Sequence, residues 1–460
     1  MRYPPGPTNF NAWCGFTWRH AVGQLSYPLQ FTTDLAERYG DLVFYRLFIH
    51  RAYQVNHPDL VREVLVTKAA SFVKQARQRG LIQRIAGTGI LTTDGPEWVR
   101  KRRMMLPAFQ SQIGQRLAET TVEEAQRLTG SWPERGEIGL YRTMTNLMIR
   151  AVGRSFFGIE TPDEATQIAT ALHTLGECML DLDYFLVRLP GWFPSLKERQ
   201  RREAESVLDN YFDRAIAARR GQTGQERDLL DLLLSAVDRE GDGRRLTENE
   251  VRGEARTMFF AGHHTAAACL TWTLYLLATH PEIRQRILAE VDEVLHDSPP
   301  TLNDLPQLTY TTQVIQESMR LYPPAWALFA REAIEDVEIG GYTLPRGSWV
   351  FMYPWVLHRD RRFFPQPLEF RPERFAPGKI ELLPTGAYIP FGLGGHNCIG
   401  GRIALTAVQL ALPALIQQFD FDLPSGAPEP ELHTSISLRP RQDMRMIVRA
   451  RQATGVPALA

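Results

Sequence analysis

The stretch Phe391-Gly-Leu-Gly-Gly-His-Asn-Cys-Ile-Gly-Gly401 carries the strongest local signal in the chain and decides how the rest is interpreted. Five of its eleven residues are glycine, and Cys398 stands just before a predicted helix. Glycine tolerates positive φ and lets the backbone lie close against a flat object. The N–H groups and the positive dipole end of the helix favour the thiolate form of Cys398 over the thiol. Residues 391–400 are therefore predicted to form a loop that presents a thiolate.

Three interpretations of Cys398 are open at this point. A thiolate in a glycine loop is what an axial ligand of haem iron requires. An inert, buried cysteine in a tight turn would produce the same local sequence. A nucleophilic cysteine is the third, and it would need a general base such as His396, which need not point the same way.

Composition limits the class of protein. The chain has 460 residues, 44% hydrophobic, and its net charge is zero because 52 basic residues balance 52 acidic ones. A large core is therefore expected, and a nucleic-acid partner is not. The N-terminus has no apolar run, so we expect neither a signal peptide nor a membrane anchor. The four cysteines, Cys14, Cys178, Cys269 and Cys398, are far apart, which is typical of a reducing cytoplasm.

Hydrophobic periodicity predicts a mainly α protein with a small β part, an α+β fold in a single domain over 1–460. The helical body covers about 98–330 and 399–419, and the β-rich part comes from about 40–57, 337–353 and 430–449. One helix, about 247–279, is unusually long and apolar nearly all round after Met258. Thr247 and Glu250 form a capping-box pattern at its start. A helix of this length and composition is predicted to be central and buried.

Further motifs lie at helix spacings. Glu317-Ser-Met-Arg320 places two opposite charges at i,i+3, which can pair on one helix face. A solvated pair of this kind is common by chance, but Leu321-Tyr-Pro-Pro324 follows it directly. Phe370-Arg-Pro-Glu-Arg-Phe375 lies further on, and Trp98-Val-Arg-Lys-Arg102 places Trp98 and Arg102 at i,i+4.

Together these motifs resemble those of the haem-thiolate monooxygenases, the cytochromes P-450. The loop is similar to F-x-x-G-x-R/H-x-C-x-G, which Phe391, Gly394, His396, Cys398 and Gly400 all fit. The other segments resemble the E-x-x-R, P-E-R-F and W-x-x-x-R motifs of the family, in the family's order. Most members have arginine where this chain has His396, so a weaker or more pH-sensitive propionate contact is expected there.

The resemblance implies roles for these residues. Cys398 is expected to be the axial iron ligand of haem b, with Phe391 and Gly400 shaping its loop. Trp98, Arg102, His396 and Arg331 are expected to contact the propionates, although Arg331 also fits a solvated arginine at a strand start. Glu317, Arg320 and Arg374 are expected to form a buried structural charge cluster that supports the loop.

The resemblance also implies partners. Such an enzyme uses O2, and no stretch of domain size is left over for a flavin or nicotinamide domain. Electrons are therefore expected from a separate ferredoxin- or flavodoxin-type protein, docking near Arg100, Lys101 and Arg103. These three residues equally fit a basic, solvated helix face. The protein is expected to be a cytoplasmic monomer.

The long helix contains Ala261-Gly-His-His-Thr265, which resembles the oxygen-activating A/G-G-x-D/E-T of the family. Ala261 and Thr265 fit this pattern, and His264 stands where an acid is expected. Consecutive helical residues point about 100° apart, so His263 and His264 are poorly placed to share a metal. We hypothesise that His264 replaces the carboxylate in a proton relay, since histidine titrates near neutrality. A hydrogen bond from His264 to a neighbouring helix is the alternative.

An apolar substrate pocket is expected, suited to a fatty acid, terpenoid or steroid-like molecule. Its candidate residues, each of which also fits ordinary core, are Phe72, Leu91, Phe185, Phe260, Trp326, Leu328 and Ile436. The leading prediction is a monooxygenase that inserts one oxygen atom of O2 into such a substrate, by hydroxylation or epoxidation. The alternatives are a peroxide-using or isomerising haem-thiolate enzyme, a non-catalytic haem-binding protein, and a cysteine-nucleophile hydrolase without haem.

Overall fold

The structure, a computed structural model, describes residues 3–7, 27–47, 49–110, 112–179, 196–219 and 228–451. Helices dominate it, in the order α1 Pro28–Tyr39, α2 Pro58–Arg62, α3 Ala76–Ala86, α4 Gly95–Gln110, α5 Gln112–Gly130, α6 Leu140–Phe157, α7 Pro162–Met179, α8 Leu196–Arg219, α9 Leu229–Ser235, α10 Glu248–Thr279, α11 Pro281–Leu295, α12 Thr309–Leu321, α13 Pro354–Leu357 and α14 Gly401–Ile416. The predicted class, mainly α with a small β part, is confirmed.

The strands are short and scattered along the chain. They are β1 Leu42–Leu47, β2 His50–Val55, β3 Phe72–Lys74, β4 Arg135–Gly139, β5 Arg331–Ala333, β6 Val337–Ile339, β7 Tyr342–Leu344, β8 Trp349–Met352, β9 Phe419–Asp422, β10 Leu432–Thr434, β11 Leu438–Pro440 and β12 Arg445–Ala450. All three stretches predicted as β contain strands.

The long central helix, α10, is confirmed. Its 32 residues span roughly 48 Å at about 1.5 Å per residue. Thr247 and Glu250 form the predicted capping box: the Glu250 carboxylate accepts the Thr247 N–H at 2.8 Å, and the Thr247 hydroxyl accepts the Glu250 N–H at 3.3 Å. Two backbone donors at the helix start are thereby satisfied.

Two large core clusters meet along α10. Residues 251–260 pack with α3–α9 in one cluster, and residues 266–277 pack with α5, α6, α11, α12 and α14 in the other. Between them lies the segment 261–265, where Ala261 is exposed although the helix around it is buried. The two core clusters therefore meet at residues 261–265, the segment that resembles the oxygen-activating motif.

A five-stranded sheet in the order β1-β2-β8-β5-β3 forms the main β part. The β1–β2 hairpin is antiparallel, β2 runs parallel to β8, and β3 pairs with β5 through Phe72 and Ala333. This sheet brings β3, from early in the chain, beside the segment that follows α12. Lys74 and Arg331 consequently lie directly opposite each other on paired strands.

Two boundaries differ from the sequence prediction. β4 lies inside the predicted helical body and pairs with β12, in a three-stranded sheet ordered β4-β12-β9. Pro133, Gly136 and Gly139 interrupt the helical pattern there, and a strand more than 300 residues later supplies the partner. The last helix, α14, ends at Ile416 rather than near 419, because Phe419 begins β9.

Among the described residues, no helix combines the length and the apolar character that a membrane span requires.

Candidate functional site

The cysteine loop is built from backbone hydrogen bonds. The Cys398 N–H donates to the Phe391 carbonyl at 2.8 Å, and the Asn397 N–H donates to the Gly394 carbonyl at 3.1 Å. Gly394 has φ of 72°, and a Cβ there would lie 2.2 Å from the Leu65 carbonyl oxygen. Only glycine fits this position, since both the backbone angle and the space exclude a side chain. The loop therefore holds Cys398 in one place ahead of α14.

Cys398 is solvent-accessible although protein atoms surround it, as expected at the floor of a deep recess. Burial raises the pKa of its thiol, while the Gly400 N–H and the charge of Arg102 act in the opposite direction. The backbone N–H at the helix start thus favours the thiolate, as expected, but burial opposes it with the larger effect. A bound metal cation deprotonates a coordinating thiol outright, so the thiolate depends on a metal.

Trp98, Arg102 and His396 come together beside the loop. The Trp98 and His396 rings stack with centroids 3.8 Å apart. Arg102 donates to the Asn397 carbonyl at 2.9 Å and to the Asn397 side-chain oxygen, and its charge acts on Cys398. The structure thus places three predicted propionate contacts within one cluster next to Cys398.

Arg331, Lys74 and Asp94 complete this cluster, and sequence reasoning missed the last two. Lys74 donates from Nζ to the carbonyls of Ile90 and Thr93 at 2.9 and 2.8 Å. Asp94 accepts the Lys74 backbone N–H at 2.7 Å, and its other oxygen lies 3.9 Å from His396 Nε2. The missed signal for Lys74 was period-2 alternation, which places it on the same buried strand face as Phe72.

The electrostatics of this cluster are unbalanced. Burial lowers the pKa of Arg331 to about 10 and that of Lys74 to about 7. Burial and the neighbouring cations Arg331, Lys74 and Arg102 lower the pKa of His396 to about 3, so its ring is neutral at pH 7. Arg331 is buried rather than solvated. Buried cations require compensation, and Asp94 is the carboxylate within this set.

The cluster fits a haem edge. The two propionates of haem would supply the anionic charge that Arg102, Arg331 and Lys74 lack. Nδ1 of His396 is buried and has no hydrogen-bond partner within the described part of the chain, so it can accept or donate to such a group. The residues present therefore fit a flat macrocycle with two carboxylates above a cysteine ligand.

In the charge cluster behind the loop, Glu317 and Arg320 are fully buried and Arg374 is partly exposed. Arg320 pairs with Glu317 through two bonds of 2.7 Å, and both side chains are inaccessible. Arg374 donates from Nε to the same carboxylate at 3.3 Å. The remaining Arg320 donors reach main-chain carbonyls of the segment that leads to the loop, namely those of His358, Pro367 and Glu369. This pairing fastens α12 to residues 358–374.

On α10, Ala261 and Thr265 share one face because they are four residues apart. The Thr265 hydroxyl donates to the Ala261 carbonyl at 3.2 Å, and the helix is uninterrupted there. His263 points into the core, where its Nδ1 bonds the Phe259 carbonyl at 2.6 Å and burial lowers its pKa to about 4. His264 is half-buried, with its ring centroid 4.0 Å from His263 and 5.4 Å from Phe260.

Metal chelation by the two histidines receives no support from the geometry. Within the described ranges, no group of three or more His, Cys, Asp or Glu side chains could hold a metal ion.

The pocket candidates fall into separate groups. Leu91, Phe260 and Ile436 share one core cluster, whereas Phe72 and Leu328 pack in the core of the five-stranded sheet. The Trp326 indole donates to the Ser435 carbonyl at 2.9 Å, which ties it to the turn that carries Ile436. Phe185 lies outside the described residues.

The predicted docking patch is wrong for Lys101, while Arg100 and Arg103 are partly exposed and each paired with an acid. Lys101 is completely buried, 3.2 Å from Glu254. Arg103 forms a two-bond ion pair with Asp238 at 2.7 and 2.6 Å, and Arg100 pairs with Glu250. The basic face of α4 packs against acidic residues at and before the start of α10, so these charges join elements of the fold rather than form a surface patch.

The fold and the site define a haem-thiolate protein, and comparisons agree. The family model for cytochrome P450 matches residues 4–447. The chain belongs to the cytochrome P450 family, and it is an oxidoreductase of the monooxygenase class.

Relatives include cyclooctatin synthase of Streptomyces melanosporofaciens, 34% identical over 86% of each chain. Pentalenene oxygenase of Streptomyces avermitilis is 32% identical over 87% of this chain and 88% of its own. The crystal structure of the cytochrome P450DA heme domain matches with a TM-score of 0.84 and 27% identity, covering 98% of both chains.

Haem retention is expected to weaken as the pH rises above about 7. The pKa of Lys74 is about 7 in the protein alone, and a propionate beside it would raise that value. Between the Lys74 pKa of the haem-free protein and the higher pKa of the haem-bound protein, haem binding is coupled to uptake of one proton. The affinity for haem therefore falls by up to about tenfold per pH unit in that range. Partition of haem between the protein and apomyoglobin from pH 6 to 9 measures this. The Lys74→Met variant should show a flatter dependence of haem affinity on pH than the wild type. Identical slopes in the wild type and the variant would contradict the assignment of Lys74.

Proposed function

We propose that this protein is a monooxygenase that binds haem b at Cys398 and inserts one oxygen atom of O2 into an apolar cyclic terpenoid. The observation that carries this proposal is the conjunction of a recessed Cys398 in its glycine loop with three under-compensated cations, Lys74, Arg102 and Arg331. Haem b is iron protoporphyrin IX, whose two propionates match that charge. The family implies haem, and the charge count supports a macrocycle with two propionates, which haem b provides.

The residues of this chain would bind and orient the cofactor. Cys398 would ligate the iron, and the cations around His396 would hold the propionates. When bound, haem supplies dioxygen activation, and a cysteinyl ligand pushes electron density that favours O–O cleavage. Ala261, exposed in the middle of a buried helix, would leave space for a flat group, since it has almost no side chain.

Proton delivery falls to the segment around Thr265. Its hydroxyl donates a hydrogen bond to the Ala261 carbonyl and keeps lone pairs that can accept a hydrogen bond from water. His264, half-buried one residue earlier, is the nearest titratable residue in sequence. We assign His264 the role that a carboxylate fills in the family pattern, the transfer of protons towards Thr265.

His264→Ala is expected to lower the yield of product per electron pair severalfold, because proton delivery to the site slows while electrons still arrive. The measurement is product formed against NADH consumed, with a surrogate ferredoxin system. Turnover driven by hydrogen peroxide is the control, since peroxide brings its own protons, and His264→Ala should leave it nearly unchanged. If the product yield of His264→Ala were unchanged with both O2 and peroxide, His264 would not be part of a proton relay.

We infer the class of substrate from the residues proposed to line the pocket. Leu91 and Ile436 are apolar and partly exposed, whereas Phe260 is buried in the core beside them. Trp326 uses its one donor on the Ser435 carbonyl, so it presents only ring carbon. Relatives with 32–34% identity carry the names cyclooctatin synthase, cyclooctat-9-en-7-ol 5-monooxygenase and pentalenene oxygenase, enzymes of terpene substrates. A cyclic terpenoid fits both observations better than a fatty acid, whose carboxylate needs a cation in the pocket.

A separate protein supplies the electrons in this proposal, of the ferredoxin or flavodoxin type. With Arg100, Lys101 and Arg103 engaged inside the fold, we place its docking near Arg402, which is exposed on the first turn of α14, four residues after Cys398. The proposal also treats 1–460 as one domain, monomeric and cytoplasmic. The single domain is supported by α10, which both large core clusters share.

The test of the function uses haem-loaded protein. Reduced protein under CO should show the red-shifted main absorption band of thiolate-ligated haem. Cyclic terpene hydrocarbons should shift the haem spin state at lower concentrations than fatty acids of equal carbon number. Oxygenated product should then form with the ferredoxin system. Absence of the band would overturn the proposal, and preference for fatty acids would overturn the substrate class alone.

A second candidate is a peroxide-using enzyme of the same fold. The observation that favours it is His264 itself, because peroxide chemistry does not need the carboxylate that this chain lacks. Faster turnover with peroxide than with the ferredoxin system would select this candidate.

A further inference from the structure

The end of α3 and the loop after it, residues 84–93, are attached to α10 through main-chain atoms. Arg256 donates to the Ile85 carbonyl at 2.7 Å and to the Arg84 carbonyl at 3.1 Å. The Thr257 hydroxyl donates to the Ala86 carbonyl at 2.8 Å. Three consecutive carbonyls at the C-terminal end of α3, which have no partner within the helix, are thus satisfied by α10.

Two glycines allow the loop to approach α10 closely. A Cβ at Gly253 would lie 2.4 Å from the Thr88 carbonyl oxygen. A Cβ at Gly89 would lie 2.1 Å from the Thr257 hydroxyl and 3.0 Å from the Glu254 carboxylate. Both positions exclude a side chain, so the backbones of the loop and the helix are in direct contact.

A buried ion pair lies at the centre of this contact. Lys101 and Glu254 are both completely inaccessible, with Nζ 3.2 Å from Oε1. Lys101 also donates to the Thr88 carbonyl at 3.2 Å, and Glu254 Oε2 accepts the Ile90 N–H at 2.9 Å. Glu97, half-exposed, lies 3.2 Å from the same Lys101 nitrogen. The pair therefore binds the loop from both sides, through one carbonyl and one N–H.

The loop held in this way borders the pocket and leads to the propionate cluster. Ile90 and Leu91 belong to the core cluster that contains Phe260 and Ile436. Its far end is held by Lys74, which bonds the Ile90 and Thr93 carbonyls. Movement of this loop would therefore change the pocket wall at Leu91.

We propose that Glu254, together with Lys101, is a positioning residue that sets the size selectivity of the substrate pocket by fixing the backbone of residues 84–93 against α10. This inference rests on the proposed function for the existence of the pocket. Every tie named above ends on a main-chain atom, so the Leu91 side chain takes no part in the attachment. The Leu91 side chain then shapes the pocket wall, while the ties to α10 fix the position of its backbone.

The test separates positioning from stability with two variants. Glu254→Met leaves Lys101 buried without its main partner and the Ile90 N–H unsatisfied, so both stability and loop order should fall. The double variant Lys101→Met/Glu254→Met removes both charges, and exchanges of this kind are often neutral for stability. We expect the double variant to recover most of the thermal stability but not the two ties that Lys101 and Glu254 make, to the Thr88 carbonyl and the Ile90 N–H.

Two readouts follow the loop and the pocket. Hydrogen exchange of the amides of residues 84–93 should be at least tenfold faster in both variants than in the wild type. Imidazole and 4-phenylimidazole bind haem iron and differ in size, so the ratio of their dissociation constants reports the pocket wall. This ratio should change at least fivefold in both variants. If the pair had a purely structural role, the amide exchange rates and the ratio of dissociation constants would return to wild-type values in the double variant, together with its stability. That result would overturn the proposal.

Controls keep the outcome decisive. Glu124→Gln alters another buried, ion-paired glutamate, 2.7 Å from Arg154, and should cost stability without changing the ratio. Thr257→Val removes a single tie, and should raise exchange two- to threefold if Glu254→Met does not fold. Unchanged exchange in the variants would refute the proposal even in a protein without haem. A wild type that lacks the thiolate band would instead mark failure of the proposed function.

Discussion

Cys398→Ala is expected to abolish the red-shifted CO band and all O2-dependent product formation. The thiolate of Cys398 is the iron ligand in the proposed site. Alanine fits the space, because the loop is held by backbone bonds from Cys398 N–H to Phe391 and from Asn397 N–H to Gly394. The fold should therefore survive, and far-ultraviolet circular dichroism should match that of the wild type. Absorption spectra of the reduced CO complex give the answer directly.

Cys269→Ala is the matched control for this experiment. Cys269 is the other free cysteine that the structure describes, buried in α10, where desolvation raises its thiol pKa to about 12. Its replacement should leave the CO band in place. Persistence of the band in Cys398→Ala would refute the ligand assignment, and loss of the band in both variants would point to a folding defect instead.

Arg320→Met is expected to destabilise the protein by about 3–5 kcal/mol, because it leaves the buried Glu317 carboxylate with only the Arg371 N–H at 2.9 Å and Arg374 at 3.3 Å. The lost donors also leave three main-chain carbonyls without their bonds. Urea denaturation of the haem-loaded protein measures the change. Arg320→Lys should recover little of it, since an ammonium cannot reproduce the planar fork of guanidinium.

Arg286→Met serves as the comparison. Arg286 pairs with Glu373 at the surface, where both side chains are about half exposed. Exposed pairs contribute about 0–1 kcal/mol, so this change should be small. A similar small effect for Arg320→Met would mean that Glu317 and Arg320 form an ordinary solvated helix pair. That was the alternative open from the sequence.

Local signals predicted the parts of the structure that depend on local interactions. The α10 boundaries follow from Thr247, Glu250 and the apolar run after Met258, all within one helix. The cysteine loop follows from glycines whose positive φ values depend on neighbouring residues. Trp98 and Arg102 follow from their spacing on one helix. Each of these features is set within a few residues of chain, so a sequence motif captures it.

What the sequence could not predict depends on residues far apart in the chain. Arg100, Lys101 and Arg103 look like a solvated basic face until Glu250, Glu254 and Asp238 are placed against them, some 135–153 residues later. Lys74 was missed because a lysine in a short strand normally faces water. The thiol pKa of Cys398 depends on burial, which no local motif reports.

The pairing of β4 with β12 has a consequence for how the protein is made. Residues 135–139 emerge from a ribosome about 300 residues before their partner, residues 445–450. At about 5–20 residues per second, the strand waits roughly 15–60 s for that partner. A strand edge whose N–H and C=O groups stay unpaired during synthesis can pair with another chain, which leads to aggregation. Slower translation, or depletion of chaperones that shield nascent chains, should therefore reduce the soluble yield more than it alters the finished protein.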